Sequence, residues 1–298
     1  MNTYSCILIL GSLQLLQVAP LAAFAVSGWL ISVLPLIITN MGTTTPETAF
    51  SIVKRAAIFV IDGVNHLFWP AVCVNCRETI SETDKNLCGH CWDQLLSCAS
   101  GDYCRRCGRD ASVFGLLGGR CPDCQGKEIH FDRIARSGVY SQSLQQMILA
   151  FKSSRTELDS VLSLLANSAL EGSDFFSEIE LLVPVPLHWS RRLGRGYNQS
   201  QLLARKLKHP RARISTDLVR VRRTKAQPAM ASPTARARNV AGAFAVRRRH
   251  NFTGRRICLV DDIKTTGATL NECAKVLKHA GASRVFALVL AVAGQNVN

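Results

Sequence analysis

Eight of the twelve cysteines form four pairs, and two residues separate the members of each pair. A tight turn of that length aims both thiolates at one metal ion, and two such turns complete a tetrahedral four-thiolate site. The repeated pattern predicts two structural Zn²⁺ ions held by consecutive pairs, while the spacing alone also permits interleaved pairing. The predicted ligands are Cys73, Cys76, Cys88, Cys91, Cys104, Cys107, Cys121 and Cys124.

A second group of chemically suggestive residues lies at 257–269, where Asp261 and Asp262 end an apolar segment. A turn of small residues and the start of a helix follow, so hydroxyls and free N–H groups would converge on one point and bind an anion. The carboxylates would accept hydrogen bonds from sugar hydroxyls or help to hold a metal ion. A site that binds a phosphate next to sugar hydroxyls would match a ribose 5-phosphate. The predicted phosphate cradle is Thr265, Thr266, Gly267, Ala268 and Thr269.

Alternating strand and helix patterns surround this segment. Such alternation produces a mostly parallel sheet covered by helices, so the predicted fold class is α/β. Ligands of these sheets bind at the carboxyl ends of the strands, where the cradle falls. The predicted strands are 180–186, 218–221, 256–261 and 284–293. The predicted helices are 144–151, 158–170, 198–207 and 269–280.

The chain divides into four predicted zones: an apolar leader (1–45), an amphipathic helix (46–70), a double zinc ribbon (71–128) and an α/β domain (129–298). The leader is long enough to cross a bilayer. Two interpretations of it stay open. It is either a transmembrane anchor, with the basic residues after it keeping the remainder in the cytoplasm, or a start assigned too early, with Met41 as the true first residue.

The net charge of +15 is concentrated in residues 191–256, which hold 19 lysines and arginines and one acid, Asp217. This balance favours a polyanionic partner such as nucleic acid, an anionic membrane or a phosphorylated small molecule. Contact with DNA and a merely solvated basic surface are equally compatible with it. Aromatic residues that could stack on bases are sparse here, namely Tyr197, Phe244 and Phe252.

The segment from Asp261 to Thr269 is similar to the phosphoribosyl-pyrophosphate loop of type I phosphoribosyltransferases. Residues 184–187 (Pro-Val-Pro-Leu), 195–199 (Arg-Gly-Tyr-Asn-Gln) and 238–244 resemble the matching segments of ComF-type proteins, the competence-associated branch of that fold. An amino-terminal zinc ribbon is also a ComF trait. The resemblance covers about residues 68–293. It implies a parallel sheet with helices on both faces, preceded by a double zinc ribbon.

The resemblance also implies a Mg²⁺-dependent site for phosphoribosyl pyrophosphate, in which Asp261 and Asp262 are the catalytic carboxylates that hold the ribose hydroxyls. In the glycosyltransferase reaction expected of the fold, pyrophosphate leaves the anomeric carbon and a nitrogen base attacks it. The acceptor base is not identified by the sequence. Arg195 and the loop after Pro186 would approach the pyrophosphate. Arg222, Arg223 and Lys225 would lie on a mobile loop that closes over the site.

Two functions follow from these patterns. The first is a cytoplasmic phosphoribosyltransferase-like protein associated with DNA uptake. The alternative is a non-catalytic factor that binds single-stranded DNA through the basic face and the zinc ribbons. The expected partners are single-stranded DNA and DNA-uptake or helicase-type proteins, and the leader would add membrane contact.

Overall fold

Seven strands lie in the part of the chain that the structure describes. That part, in this computed structural model, comprises residues 71–81, 86–99, 101–117, 120–153, 155–224 and 232–293. The strands are β1 (Arg133–Val139), β2 (Leu181–Pro184), β3 (Arg213–Ile214), β4 (Leu218–Arg220), β5 (Phe244–Val246), β6 (Arg256–Lys264) and β7 (Arg284–Val292).

Five of these strands form one parallel sheet in the order β1-β7-β6-β2-β3. Each neighbouring pair is parallel, and β4 and β5 form a separate antiparallel pair. The two longest strands, β6 and β7, lie side by side at the centre. All residues of β7 after Arg284 are buried, as expected for a strand that is covered on both faces.

Seven α-helices lie in the described residues, and some of them cover the two faces of this sheet. They are α1 (Gly89–Ala99), α2 (Gln142–Lys152), α3 (Asp159–Glu171), α4 (Trp189–Arg195), α5 (Gln199–Lys206), α6 (Pro233–Val240) and α7 (Ala268–His279). Apolar residues of α2, α3 and α5 form one core layer with Phe286 and Leu288. Apolar residues of α7 form the opposite layer with Ala287 and Val289. The alternation of these neighbours along β7 follows the two-residue period of a strand.

Two helix starts near the site are fixed by side-chain caps. The Asn198 side chain accepts a hydrogen bond from the Ser200 backbone N–H at 3.2 Å, which begins α5. The Ser232 hydroxyl accepts one from the Ala235 N–H at 3.1 Å, and Pro233 occupies the first turn of α6. Both residues satisfy N–H groups that a helix start leaves without an internal partner.

The four strands and four helices predicted for residues 129–298 are all present, and the predicted α/β class is confirmed. Strand β6 continues three residues past Asp261 to Lys264, because Ile263 and Lys264 pair with Ala291 and Val292. Predicted strand 218–221 corresponds to β4, which pairs with β5 outside the main sheet. The sequence patterns missed β1, β3, β5, α1, α4 and α6.

No helix within the described residues is long and apolar enough to cross a membrane. The predicted leader and the predicted amphipathic helix, residues 1–70, lie outside those residues, as does Lys225. Residues 71–298 cluster as one compact unit, so the cysteine-rich segment and the sheet belong to the same body. The predicted boundary between them at 128/129 stays a prediction.

Candidate functional site

The turn between β6 and α7 forms the pocket predicted to cradle a phosphate. A small cavity of about 20 Å³ is lined by Asp261 and residues 263–270, which include all five predicted cradle residues. Gly267 precedes the first turn of α7 with a φ of 84°, a left-handed conformation that favours glycine. The helix N-terminus and the hydroxyls of Thr265, Thr266 and Thr269 therefore surround one space, an arrangement suited to an anion.

Asp261 and Asp262 lie inside β6 rather than after it, and each is held by a residue from a neighbouring helix. The Asp261 Oδ1 atom accepts hydrogen bonds from the Ser200 hydroxyl at 3.0 Å and from the Asp262 backbone N–H at 2.9 Å. Asp262 Oδ2 forms an ion pair with Lys152 Nζ at 2.9 Å. The carboxylates thus have fixed positions beside the cradle.

The two carboxyl groups differ in their electrostatic surroundings. Burial and, to a smaller extent, the negative charge of Asp262 raise the pKa of Asp261 to about 7, against the opposing effects of the Asp262 N–H, Lys152 and Ser200. A buried carboxyl group whose pKa lies near neutrality, such as that of Asp261, is typical of functional sites. Together the two side chains offer oxygen atoms that can bind hydroxyls or a metal ion. A cation bound between them would favour the ionised form of Asp261.

Lys264 is a buried cation next to the cradle that sequence reasoning missed. Its residue is 5% exposed, and its side chain lines the cradle cavity. Burial lowers the pKa of this ammonium, and no carboxylate of the described residues forms an ion pair with it. A Cβ atom on Gly267 would lie 3.0 Å from Lys264 Cε. The lack of a side chain at Gly267 therefore provides the space in which the Lys264 side chain lies.

The eight predicted zinc ligands form two quartets of consecutive pairs. Within each quartet the Sγ atoms lie within 4.8 Å of one another. The Cys104–Cys124 and Cys107–Cys121 sulfur distances are 3.7 and 3.4 Å, near the roughly 3.8 Å edge of a tetrahedron with Zn–S bonds of about 2.3 Å. The Cys121 backbone N–H donates to Cys104 Sγ at 3.3 Å, a contact that supports a thiolate. The residues present therefore fit zinc.

Comparisons with known proteins agree with both parts of this geometry. A family model described as "Double zinc ribbon domain" matches residues 64–125, and one described as "Phosphoribosyl transferase domain" matches residues 193–296. Competence protein F of Haemophilus influenzae is 30% identical over 220 residues, which are 72% of this chain and 93% of that protein. The chain belongs to the ComF family.

Two further relatives show the breadth of the ComF family. The DNA utilization protein YhgH of Escherichia coli K12 is 30% identical over 72% of this chain and 94% of its own length. Competence protein ComFC of Bacillus subtilis is 26% identical over 66% of this chain and 80% of its own length. The double ribbon with its two cysteine quartets and the phosphoribosyltransferase-like fold are therefore confirmed.

In this ComF member the second ribbon packs directly on the sheet. The Arg106 guanidinium donates hydrogen bonds to the Ile129 and Asp132 carbonyls at 2.6 and 2.7 Å. The Arg136 side chain, from β1, donates to the Gly108 carbonyl at 2.9 Å and pairs with Asp110. These contacts join the loop between two zinc ligands to β1, which explains why a strand carries a buried arginine.

A groove of about 180 Å³ connects the second ribbon with the phosphate cradle. Cys107, Arg109 and Lys127 line its ribbon side, and Lys264 and Thr266 line its cradle side. Residues of the second ribbon therefore line the same groove as residues of the cradle. Nothing in the spacing of the cysteines indicates this, because the contact depends on how the two folded parts pack.

The arginines predicted to bind the substrate do not lie in the cradle cavity. Arg195 ends α4 and is half-buried, and Arg223 is exposed. Arg222 donates hydrogen bonds to the Asn239 and Ala241 carbonyls at the end of α6, at 3.1 and 2.6 Å. None of these three residues lines the cradle cavity. Their substrate-binding roles stay predictions, and Lys225 lies outside the described residues.

Two residues that support the carboxylates, Lys152 and Ser200, were also missed by sequence reasoning. Both come from helices far from β6 in the chain. Their sequence signal is weak: Lys152 lies in the last turn of an amphipathic helix, and Ser200 lies two residues after a capping asparagine. His188, which the sequence presents without a role, is buried and shares a hydrogen bond with the Ser190 hydroxyl at 2.9 Å.

Proposed function

We propose that this ComF protein binds phosphoribosyl pyrophosphate together with Mg²⁺ at the end of β6. The observation that carries the proposal is the meeting of an anion cradle and two fixed carboxylates on one strand. Asp261 lines the cradle cavity and Asp262 follows it on β6, and Ser200 and Lys152 hold the two carboxyl groups in place. Such a site matches a ligand with a phosphate at one end and sugar hydroxyls beside it.

The roles of the residues follow from this placement. The cradle hydroxyls and N–H groups of residues 265–269 would bind the 5-phosphate, with Lys264 adding positive charge next to it. Asp261 and Asp262 would accept hydrogen bonds from the ribose hydroxyls and attract the Mg²⁺ that accompanies the pyrophosphate. Transfer of the phosphoribosyl group to a nitrogen base is the proposed reaction, and the protein would contribute orientation and stabilisation of the departing negative charge.

Titration calorimetry of the zinc-loaded full-length protein with phosphoribosyl pyrophosphate tests this proposal. We expect binding in the micromolar range with Mg²⁺ and much weaker binding without it. Asp262→Asn should weaken the affinity while the protein stays folded, because it removes a charge and keeps the shape. Lys206→Gln is a matched control, since it breaks an ion pair with Asp159 on the surface. Folded protein that gives no binding heat would refute the proposed ligand.

A second candidate function is binding of single-stranded DNA as part of DNA uptake in the cytoplasm. The observation that favours it is the exposed run Arg247, Arg248 and Arg249, which follows β5 and has no described ion pair. Exposed arginines attract phosphates regardless of sequence. The relatives named for competence and DNA utilization support the same role. DNA-uptake or helicase-type proteins are the proposed partners.

A further inference from the structure

A cavity of about 270 Å³ lies at the carboxyl end of β2, apart from the cradle. Its walls come from the Pro184–Leu187 segment, from the starts of α4 and α5, and from β4. None of the residues that line it also lines the cradle. The volume is close to the lower end of the range for small-molecule sites, about 300 Å³. The loop after Pro186 is the one part of its lining that the family resemblance places near the pyrophosphate, and the cradle and the two carboxylates lie outside it.

One aromatic face is available in this cavity. Trp189, at the start of α4, lines it and is 66% exposed. The three aromatic residues that the sequence suggests for stacking are not available in the same way. Phe244 and Phe252 are buried in the core, and the Tyr197 hydroxyl donates to the Phe151 carbonyl. Trp189 is therefore the residue of this basic region best placed to stack on a planar ring.

The polar residues of the cavity complement a nucleotide. Arg220 and Arg247 line it, and no acidic residue does so among those the structure describes. Gln201 also lines it, and a side-chain amide offers both donors and an acceptor to the edge of a base. Asn198, the other amide of the lining, caps α5 and donates to the Val185 carbonyl at 3.1 Å. An aromatic face, the Gln201 amide and two cations around one space fit a planar heterocycle with an attached phosphate.

We infer that this cavity binds one nucleotide unit, with the base stacked on Trp189 and the phosphate next to Arg247. The unit comes either from a free nucleotide or from a single strand of DNA, and the chemistry of recognition is the same for both. The inference rests on the second candidate function and deepens it by naming a site. It does not depend on binding of phosphoribosyl pyrophosphate.

Binding measurements with two probes on the full-length, zinc-loaded protein test the inference. The probes are a short fluorescein-labelled oligothymidylate, followed by anisotropy, and thymidine 5′-monophosphate, used as its competitor. Trp189→Ala should weaken oligonucleotide binding about tenfold or more, the effect of losing one base–aromatic stack. Trp189→Phe should recover most of the affinity. Leu193→Ala is the matched control, because Leu193 is exposed on the same helix and does not line the cavity.

A second pair of variants distinguishes a specific contact of Arg247 with the phosphate from the general attraction of the exposed arginines to DNA. Arg247→Ala should weaken binding more than Arg248→Ala, since both residues are exposed and only Arg247 lines the cavity. The affinity should fall steeply with salt in the wild type, and the slope should decrease in Arg247→Ala. Equal effects of the two substitutions, or of Trp189→Ala and Leu193→Ala, would overturn the inference.

The competitor distinguishes the two sources of the nucleotide. Competition by thymidine 5′-monophosphate that is lost in Trp189→Ala identifies a mononucleotide site. Binding of the oligonucleotide alone, with the same dependence on Trp189, identifies a single-strand site. Failure of both probes to bind the wild type would refute the inference. Titration of the same variants with phosphoribosyl pyrophosphate keeps the two proposals separate, because neither Trp189 nor Arg247 lines the cradle.

Discussion

Asp261 is the residue whose surroundings most directly link stability to function. Its carboxyl group lies beside that of Asp262, and its pKa is raised from 3.8 to about 7, first by burial and then by the neighbouring charge. Between about pH 4 and pH 7, the folded protein therefore retains a proton on Asp261 that the unfolded chain releases. The resulting contribution to stability is complete below about pH 4 and is lost as the pH rises through 7.

Replacement of Asp261 by asparagine should remove this pH dependence. Asp261→Asn is expected to be more stable than the wild type at pH 8, and the difference should shrink as the pH falls toward 4. Thermal unfolding followed by circular dichroism between pH 4 and pH 8 measures it. Asp217→Asn, at a half-exposed acid outside the cradle, is a suitable control. Melting curves that shift in parallel for Asp261→Asn and the wild type would contradict the assigned titration.

At the residue scale, sequence predicts the groups that are contiguous and misses their partners. The cysteine pairs and the segment from Asp261 to Thr269 each specify a local turn whose side chains converge, so the chemistry is visible in the spacing. Lys152 and Ser200 reach the same site from α2 and α5. Only the packing of these helices on the sheet brings them there, and no local pattern encodes that packing.

The β6–α7 turn is the element whose backbone conformation is most constrained by the site. Gly267 has a φ of 84°, and a Cβ atom there would lie 3.0 Å from Lys264 Cε. Gly267→Ala should destabilise the protein by about 1–2 kcal/mol, the cost of a left-handed conformation for a non-glycine residue. It should also abolish phosphoribosyl pyrophosphate binding, because the methyl group displaces Lys264 and fills the turn.

Gly254→Ala is the matched control for this turn. Gly254 also has a positive φ, 72°, and no atom lies within 4 Å of its added Cβ. Chemical denaturation should therefore show a similar loss of stability for both variants, while calorimetry should show loss of ligand binding for Gly267→Ala only. Normal binding by Gly267→Ala would mean that the ligand does not enter the turn.

Elements with strong apolar periodicity are predictable, and those whose partner is the ribbon are not. Strand β1 reads Arg-Ile-Ala-Arg-Ser-Gly-Val and shows no alternation, yet it is buried. Its Arg136 is satisfied by the Gly108 carbonyl and Asp110 of the second ribbon and lies over the Tyr103 ring. Helix α1 begins between two zinc ligands, so its Cys91 serves the metal site as well as the core. Such elements are defined by tertiary contacts.

At the scale of the whole molecule, the first ribbon and the sheet share a core, while the cysteines of the second ribbon form a separate buried cluster. Cys73, Leu87, Cys91 and Leu95 belong to the same cluster of buried residues as the helices on one face of the sheet. A Cβ atom on Gly138, in β1, would lie 2.6 Å from the Cys98 carbonyl oxygen, so the backbones of β1 and α1 are in close contact. Loss of metal should therefore affect more than the cysteine-rich segment.

Chelation is expected to release about two zinc ions per chain, one from each thiolate quartet, and to lower the unfolding temperature of the whole described body. Metal release followed by a chromogenic chelator, together with calorimetric melting, measures both effects. A metal count of zero in protein purified without chelators would contradict the ribbon assignment. Melting of the sheet at an unchanged temperature after chelation would contradict the shared core.

The two ribbons should differ in their effect on ligand binding. Cys107 lines the groove that reaches Lys264 and Thr266, whereas Cys76 of the first quartet is exposed and lies outside it. Cys107→Ser should therefore weaken phosphoribosyl pyrophosphate binding more than Cys76→Ser, although each substitution removes one thiolate from a quartet. Binding is compared at a temperature where both variants stay folded. Equal losses would mean that the second ribbon supports the fold without forming part of the site, and a larger loss for Cys107→Ser would make its metal centre a structural wall of the phosphate cradle.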